Sequence, residues 1–487
     1  MSPDYAGLFY ALRPETSLVL GALIVLGLDL SVFRRHTAVE RLNLALYVGA
    51  LAVLAAGASV WFCPHGSVFG GVLILDKLAV ATRLGVLALT LLTLGVATAA
   101  TKPRNPAEYV AIILFAATGF LLMAVAQQLL VAFLALELAS LSLYVLAGFD
   151  KSRPESAEAA LKYFLFGGMA AAFLLFGFSL LYGLTGSIEL PVIAAQLSTL
   201  RLSPLLAVAL VMVLVAFGFK SAAAPFHLWA PDVYQGAPTA SSAFIASASK
   251  LAGFALFARL FWQGLDPVAG GVSTLQGAPG WLPAVAVVSA ASMLLGNFGA
   301  LAQRNVRRLL AYSAIAHAGN LLLGVIAVGR SGWAPLFFYA ATYGLATVGA
   351  FGVIAVVERT GPCQNLTDLA GLHRRSPLLA GCLAVFILSL AGIPPLAGFF
   401  GKFYVFAAAL QLGGISGPAG WLAFLAIALS ALALYYYLIV LKQALVAAPA
   451  ADADRIIVPP VAKFTLVVAA GLIVLFGVNP ALLLGLF

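Results

Sequence analysis

The sequence predicts an all-α polytopic membrane protein of about fourteen transmembrane helices. It further predicts two inverted five-helix repeats, spans four to eight and nine to thirteen, with broken helices in spans seven and twelve. Three observations carry that expectation. The 487 residues are 63% hydrophobic and only 9% charged, whereas soluble domains carry about 25% charged residues. The apolar residues gather into runs long enough to cross a bilayer, joined by mostly short connections. Two of those runs, five apart, hold prolines and glycines where a plain anchor has none.

The runs, each at least about 18 residues, centre on 17–33, 41–62, 76–99, 107–125, 128–148, 157–183, 204–228, 240–262, 281–301, 307–328, 333–357, 378–410, 418–442 and 461–485. They divide a single membrane domain, 1–487, into a three-helix segment (1–106), a first repeat (107–263), a second repeat (280–445) and a last helix (460–487). The net charge of +9 is spread over many short loops, so it does not read as a nucleic-acid patch. Cys63, Cys363 and Cys382 lie far apart without a CxxC pair, which argues against a metal, cluster or disulfide framework. Arg34-Arg35 follow the first apolar run instead of preceding it, so no cleavable signal is expected.

Orientation follows from the basic residues. With the N-terminus outside, Arg34, Arg35, Arg41, Lys102, Arg104, Lys151, Arg153, Arg304, Arg307, Arg308, Arg359, Arg374, Arg375, Lys442, Arg455 and Lys463 fall on the cytoplasmic side. Arg13, Lys77, Arg83, Arg201, Arg259 and Arg330 fall on the other. That bias of sixteen against six predicts both termini outside. Trp61, Trp262, Trp281, Trp333 and Trp421 sit at outer span ends, as an interfacial belt requires.

Span seven reads FGFKSAAAPFHLWAPDVYQGAP, with Pro225, Pro231 and Pro238. Span twelve reads LSLAGIPPLAGFFGKFYVF, with Pro394-Pro395 amid Gly392, Gly398 and Gly401. Proline removes a backbone donor and clashes with the preceding turn, so both helices should part at membrane depth. Backbone groups freed there are tolerated only inside protein or beside a wet cavity. Discontinuous helices at matching places in inverted halves are a transporter design.

Lys162, Lys220, Lys250, Lys402 and Glu137 lie within these apolar runs. A charge at the bilayer centre costs roughly 2.5–3.5 kcal/mol, so the set implies a purpose. Ser247 is one turn from Lys250. Ser313, His317 and Asn320 share one face of span ten, and Tyr339 and Tyr343 one face of span eleven. Burial weakens a lysine's hold on its proton and a nearby carboxylate strengthens it, so a shifting Glu–Lys contact can switch the lysine. Histidine relays near neutral pH. Lifting a proton against about 150 mV takes about 3.5 kcal/mol, at ~2.3 kcal/mol per 100 mV. Plainer readings stand beside these. Lys162 can snorkel to the interface, Lys220 and Lys402 can hold carbonyls freed by the breaks, and Glu137 with Lys250 can be structural. His317 can be a hydrogen-bonded core histidine, and His227 beside Pro225 reads as a helix-end hydrogen-bonder. Asp232 reads as the cap of the next half-helix, and Arg83 and Asp29 as facing headgroups.

Taken together, KSAAAPFHLWAPDVYQGAPT (Lys220 to Thr239), EAALKYFLFG (Glu158 to Gly167), RRLLAYSAIAHAG (Arg307 to Gly319) and AGIPPLAGFFGKFYVF (Ala391 to Phe406) resemble the antiporter-like membrane subunits of respiratory complex I and Mrp-type cation/proton antiporters. DVYQGAP (Asp232 to Pro238) resembles the N-subunit family of NADH-quinone oxidoreductases within that group. The resemblance runs over essentially the whole chain. It implies one proton-pumping module of a bacterial inner-membrane translocase. NADH, FMN, iron–sulfur clusters and quinone are then bound by other subunits, with no cofactor or metal in this chain. It also implies an adjacent M-type antiporter-like subunit and small K- and J-type subunits as partners. By the same resemblance Glu137 pairs with Lys220, Lys250 is the central lysine, Lys402 the terminal one, Lys162 the functional lysine of span six and His317 the span-ten relay. Asn320 departs from the pattern, which more often has an aromatic or aliphatic residue there. A stand-alone or Mrp-type Na+/H+ antiporter, and a passive scaffold whose charges fix helix register, are the competing expectations.

Overall fold

The computed structural model describes residues 5–100, 104–272, 277–449 and 454–487. Lys102, counted above among the basic residues, lies outside them. Among the described residues, thirteen helices are long and apolar enough to cross a membrane. Spans one to seven are Arg13–Ser31, Ala38–Val60, Lys77–Ala97, Pro106–Val125, Leu129–Ala147, Pro154–Thr185 and Pro204–Ser221. Spans eight to eleven are Thr239–Gly264, Trp281–Leu301, Val306–Ser331 and Ala334–Val357; spans thirteen and fourteen are Pro418–Leu445 and Pro460–Val478. Two shorter helices, Pro377–Ala391 and Ala397–Gly413, together make span twelve. Span seven continues after its break as Trp229–Gly236.

Local chemistry sets where these helices start. Proline opens six of them, at Pro106, Pro154, Pro204, Pro377, Pro418 and Pro460. A first-turn proline leaves no unpaired N–H and presets a helical φ. Elsewhere side chains take up the free amides. Thr37 and Glu40 cap span two reciprocally. Asp76 accepts from Ala79 N at 2.8 Å to open span three, and Asn305 Oδ1 accepts from Arg307 N and Arg308 N, each at 3.0 Å, to open span ten.

Fourteen crossings return the chain to the side on which span one began, called here the terminal end; the opposite side, rich in arginine, is the basic end. Each repeat has five crossings. An odd number means that span nine enters from the end opposite to span four, so the second unit is inverted. Spans eight and eleven are buried over most of their length, and span ten nearly as fully. Helices apolar on every side belong in such an interior. Span eleven packs against spans three, eight, twelve and fourteen, which places the junction of the two units around it.

Several expectations change. Span eight is interrupted at Ser247 (φ −114°, ψ −82°) although no proline marks the place, and its last turn, Leu260–Gly264, widens to a π-helix. A small antiparallel hairpin, Gly66–Val68 with Leu73–Leu75, stands at the terminal end. Trp281 is only 1% exposed and donates Nε1–H to Leu265 O at 2.8 Å, so it is a core residue and not part of a belt. Arg83 and Asp29 do not face headgroups. Arg83 is fully buried and paired with Glu15 at 2.6 Å, and buried Asp29 is held by Arg41 at 2.5 Å. Arg259, also fully buried, is bound to Asp76 at 2.8 Å. A charge near a span end can thus turn inward when a partner from another helix meets it.

Candidate functional site

The first half-helix of span seven ends in Ala222, which adopts a left-handed φ of +56°. The groups freed by the break find partners. Ala224 N–H donates to Ser292 Oγ at 2.8 Å, and Trp229 Nε1–H donates to Phe219 O at 3.1 Å. Lys220, in the last turn before the break, is buried; its Nζ donates to Ser140 Oγ at 3.3 Å and lies 5.6 Å from the Phe120 ring centroid. Glu137 stands one turn before Ser140 on span five, half-buried, with Oε1 enclosed and no hydrogen-bond partner among the described residues. Among those residues no hydrogen bond or ion pair joins Glu137 to Lys220 directly; Lys220 instead reaches Ser140, one turn along from Glu137. His227 lies half-buried between the half-helices.

Lys250 follows the interruption of span eight by one turn. Ser247 Oγ donates to Ala243 O at 2.6 Å, and Lys250 Nζ donates to the Ala314 carbonyl of span ten. The same ammonium lies 5.3 Å from the ring centroid of Tyr343, a cation–π distance. Beyond that ring, at 4.8 Å between centroids, is His317. The Tyr343 ring is therefore in contact with both the central lysine and the histidine.

His317 is the centre of a hydrogen-bonded row. Its Nδ1 is 2.6 Å from Tyr339 Oη and its Nε2 3.1 Å from Tyr437 Oη. Asn320 Nδ2 donates to Tyr339 Oη at 3.1 Å, and Ser313 Oγ bonds Tyr437 Oη. The bonds from Tyr339 through His317 to Tyr437 accommodate donation in either sense. His317 then carries its proton on Nε2 in one and on Nδ1 in the other. A proton entering one end of such a row releases a different proton at the far end.

Lys402 occupies the half-helix after the break in span twelve. Its Nζ donates to Ala391 O at 2.9 Å, a carbonyl that the break frees. Gly392 beside it has φ +88°, a conformation that favours glycine, and a Cβ there would lie 3.0 Å from Lys402 Cδ, a tight contact. A small cavity of ≈ 10 Å³ joins Lys402 to His317, Asn320, Asn297, Ser430 and Tyr437. That is about the space one water needs, and the polar lining supplies its partners.

Lys162 stands apart from this row. At the basic end its Nζ meets Glu158 at 2.5 Å and Asp232 at 2.6 Å, and Asp232 also binds Arg308 at 2.5 Å. Asp232 is accordingly an ion-pair bridge between spans six and ten, not a helix cap: no side-chain cap bond opens its helix.

Over residues 126–430 the sequence matches the family described as NADH:quinone oxidoreductase/Mrp antiporter, TM. It is 47% identical over 494 residues to NADH-quinone oxidoreductase subunit N 2 of Acidobacterium capsulatum, with 99% of each chain covered. The chain belongs to the subunit N family of NADH-quinone oxidoreductases. Subunit N of an Anaeromyxobacter species is 41% identical, covering 90% of this chain and 87% of that one. Among solved structures, a chain of respiratory complex I from Thermus thermophilus with bound aureothin superposes with a TM-score of 0.80 at 36% identity, covering 97% of this chain and 98% of its own. A chain of the Mrp complex from a Dietzia species has a TM-score of 0.79 at 23% identity, covering 97% and 96%, and shares the fold.

In this subunit N family member, sequence reasoning had missed four polar side chains. Tyr437 bonds both Ser313 and His317, while Tyr436 Oη donates to Asn297 Oδ1 at 3.1 Å. Ser140 receives Lys220. The signal for the tyrosines was present in the run LYYYL of span thirteen, where three hydroxyls interrupt an apolar helix. Ser140 carried no comparable mark.

Proposed function

We propose that this chain is the N-type proton-translocating membrane subunit of an NADH-quinone oxidoreductase, and that Lys250, His317 and Lys402 carry the proton. One observation carries the reading: the buried central lysine lies against the Tyr343 ring, that ring against His317 at the centre of a hydrogen-bonded row, and a water-sized cavity joins His317 to Lys402. Close kinship with subunits named for that enzyme supports it. The redox groups then belong to other subunits, NADH being oxidised and quinone reduced there. The neighbours are an M-type antiporter-like subunit and small K- and J-type subunits. The terminal end faces outward across a bacterial inner membrane, in keeping with the arginine-rich opposite end.

Protons enter from the basic end through the first repeat, 107–263, and reach Lys250. Transfer past Tyr343 protonates the His317 row, which passes a proton to Lys402, and Lys402 releases it toward the terminal end. Both lysines rest on backbone carbonyls, which stabilise an ammonium without fixing it as a carboxylate would. Glu137 and Lys220, the latter bonded to Ser140, form the electrostatic switch: a carboxylate drawn toward Lys220 holds its proton and frees it on leaving. Lys162 joins the ion pairs of the basic end to the first repeat.

The test is pumping by the assembled complex in membrane vesicles. Alanine at Glu137 or Lys220 is expected to lower proton translocation driven by NADH, and quinone reduction with it where the two are tightly coupled. Undiminished pumping in both variants, with normal assembly, rejects the switch. The Mrp-type reading rests on a family description that covers both groups and on a fold shared at 23% identity, whereas the relatives named above favour subunit N.

A further inference from the structure

We propose that span eight beyond Lys250, closed by the Arg259–Asp76 pair, is a proton seal that prevents the central lysine from discharging directly to the terminal end. The inference rests on the route through Lys250 given above. It answers a question that route raises: Lys250 lies on a helix that itself runs on to the terminal end, so a shorter outlet is available by geometry alone.

Between Lys250 and Arg259 the helix reads LAGFALFA, eight residues without a polar side chain, all buried. They span about 12 Å at 1.5 Å per residue. Phe257 stacks on Phe217 with centroids 4.9 Å apart and meets Phe261 edge-on at 4.5 Å, and Phe261 meets Trp281 at 5.0 Å. An aromatic wall of this kind offers water no partners. The next polar side chain along span eight is Arg259, its guanidinium fully buried and gripped by both oxygens of Asp76, at 2.9 and 2.8 Å. Asp76 also caps span three, so the arginine is fixed to the helix beside it. Its carboxylate is the more exposed partner, lying on the solvent side of the pair.

Arginine is the one basic side chain that keeps its proton at any working pH. It cannot pass a proton on, and a fixed cation at the end of a dry passage repels one that arrives. The second repeat is built differently. From Lys402 the small cavity opens among Ser430, Asn297 and Tyr436, groups that can hold water. Lys250 thus faces a wall toward the terminal end, whereas Lys402 borders the water-sized cavity that it shares with His317.

The test uses the assembled complex in sealed vesicles, resting, under an imposed pH gradient. Neutralising the pair with Arg259→Gln and Asp76→Asn keeps hydrogen-bonding groups in place and removes the fixed charge. The gradient is expected to collapse about ten-fold faster, a barrier lowered by ~1.4 kcal/mol. Adding Lys250→Ala should return the leak to the unmodified rate. If the double variant fails to assemble, Phe257→Ser, which places a hydroxyl in the wall, is expected to leak in its stead. A gradient as durable as that of the unmodified complex, or a leak that survives Lys250→Ala, overturns the seal. NADH-driven pumping by Lys250→Ala alone is the separate arm. Its persistence refutes the route, whereas its loss together with a tight double variant refutes the seal only.

Discussion

Tyr437 is the residue on which most of the central row converges. Its hydroxyl meets His317 Nε2 at 3.1 Å and also Ser313, so Tyr437→Phe leaves two buried polar groups without a partner. Each orphan costs about 1–3 kcal/mol, and the imidazole loses one of the two partners through which it can exchange its proton. Proton translocation per NADH oxidised is expected to fall several-fold while assembly is retained, read as acidification of vesicles containing a matched amount of complex. Full pumping in this variant would mean that His317 releases its proton elsewhere. The charged members of the row were legible from sequence because a lysine or histidine in an apolar run is expensive enough to need a reason. Tyr437 was not, since a tyrosine is at home both in a membrane interface and in a core. Arg83 was misread for a related reason: its partner Glu15 lies on another helix, and nothing in the local sequence announces that meeting.

At the level of helices, proline made the breaks in spans seven and twelve visible, because a missing N–H is a local fact written in the residue itself. The interruption at Ser247 was invisible. Serine is tolerated within helices, and only the packing of span eight among its neighbours decides that the chain turns aside there. Caps are local too but were less readable: Asp232, read as one, bridges spans six and ten instead. Asn305 accepts from two amides at the start of span ten, the helix that carries His317. Asn305→Ala is expected to cost about 1 kcal/mol, lowering the thermal midpoint of the solubilised complex by a few degrees without changing its pumping ratio. A lowered ratio at unchanged thermal stability would contradict the assignment of Asn305 as a purely structural cap.

Across the whole molecule the two inverted units are tied together at the basic end by charge. Arg307 of span ten donates to the Gln235 and Ala237 carbonyls at 3.1 and 3.2 Å and to Thr239, and it pairs with Glu358 at the end of span eleven. Arg308 beside it binds Asp232, which also holds Lys162. The piece of span seven after its break is therefore gripped from both units. Breaking a buried pair from one side costs about 3–5 kcal/mol, because the remaining charge is stranded. Glu358→Gln is accordingly expected to reduce the amount of intact complex recovered from membranes, judged by native electrophoresis, by more than Asn305→Ala does. Recovery equal to that of the unmodified chain would show that Thr239 and the carbonyls suffice to hold Arg307. The number of crossings and the inverted arrangement were legible in hydropathy and proline spacing. The cross-ties were not, because they join residues far apart in the chain.

Glu137 sits at the rim of this bundle, on a helix whose neighbouring leucines, Leu134, Leu138 and Leu141, point outward. The lysines it influences lie further in. A charge placed at such a margin can be felt from next door: an adjoining protein need only bring a cation or a carboxylate close to it, without pushing any helix aside. News of an event elsewhere in a large assembly could then travel from block to block as altered electric field, each block being set by its neighbour and setting the next.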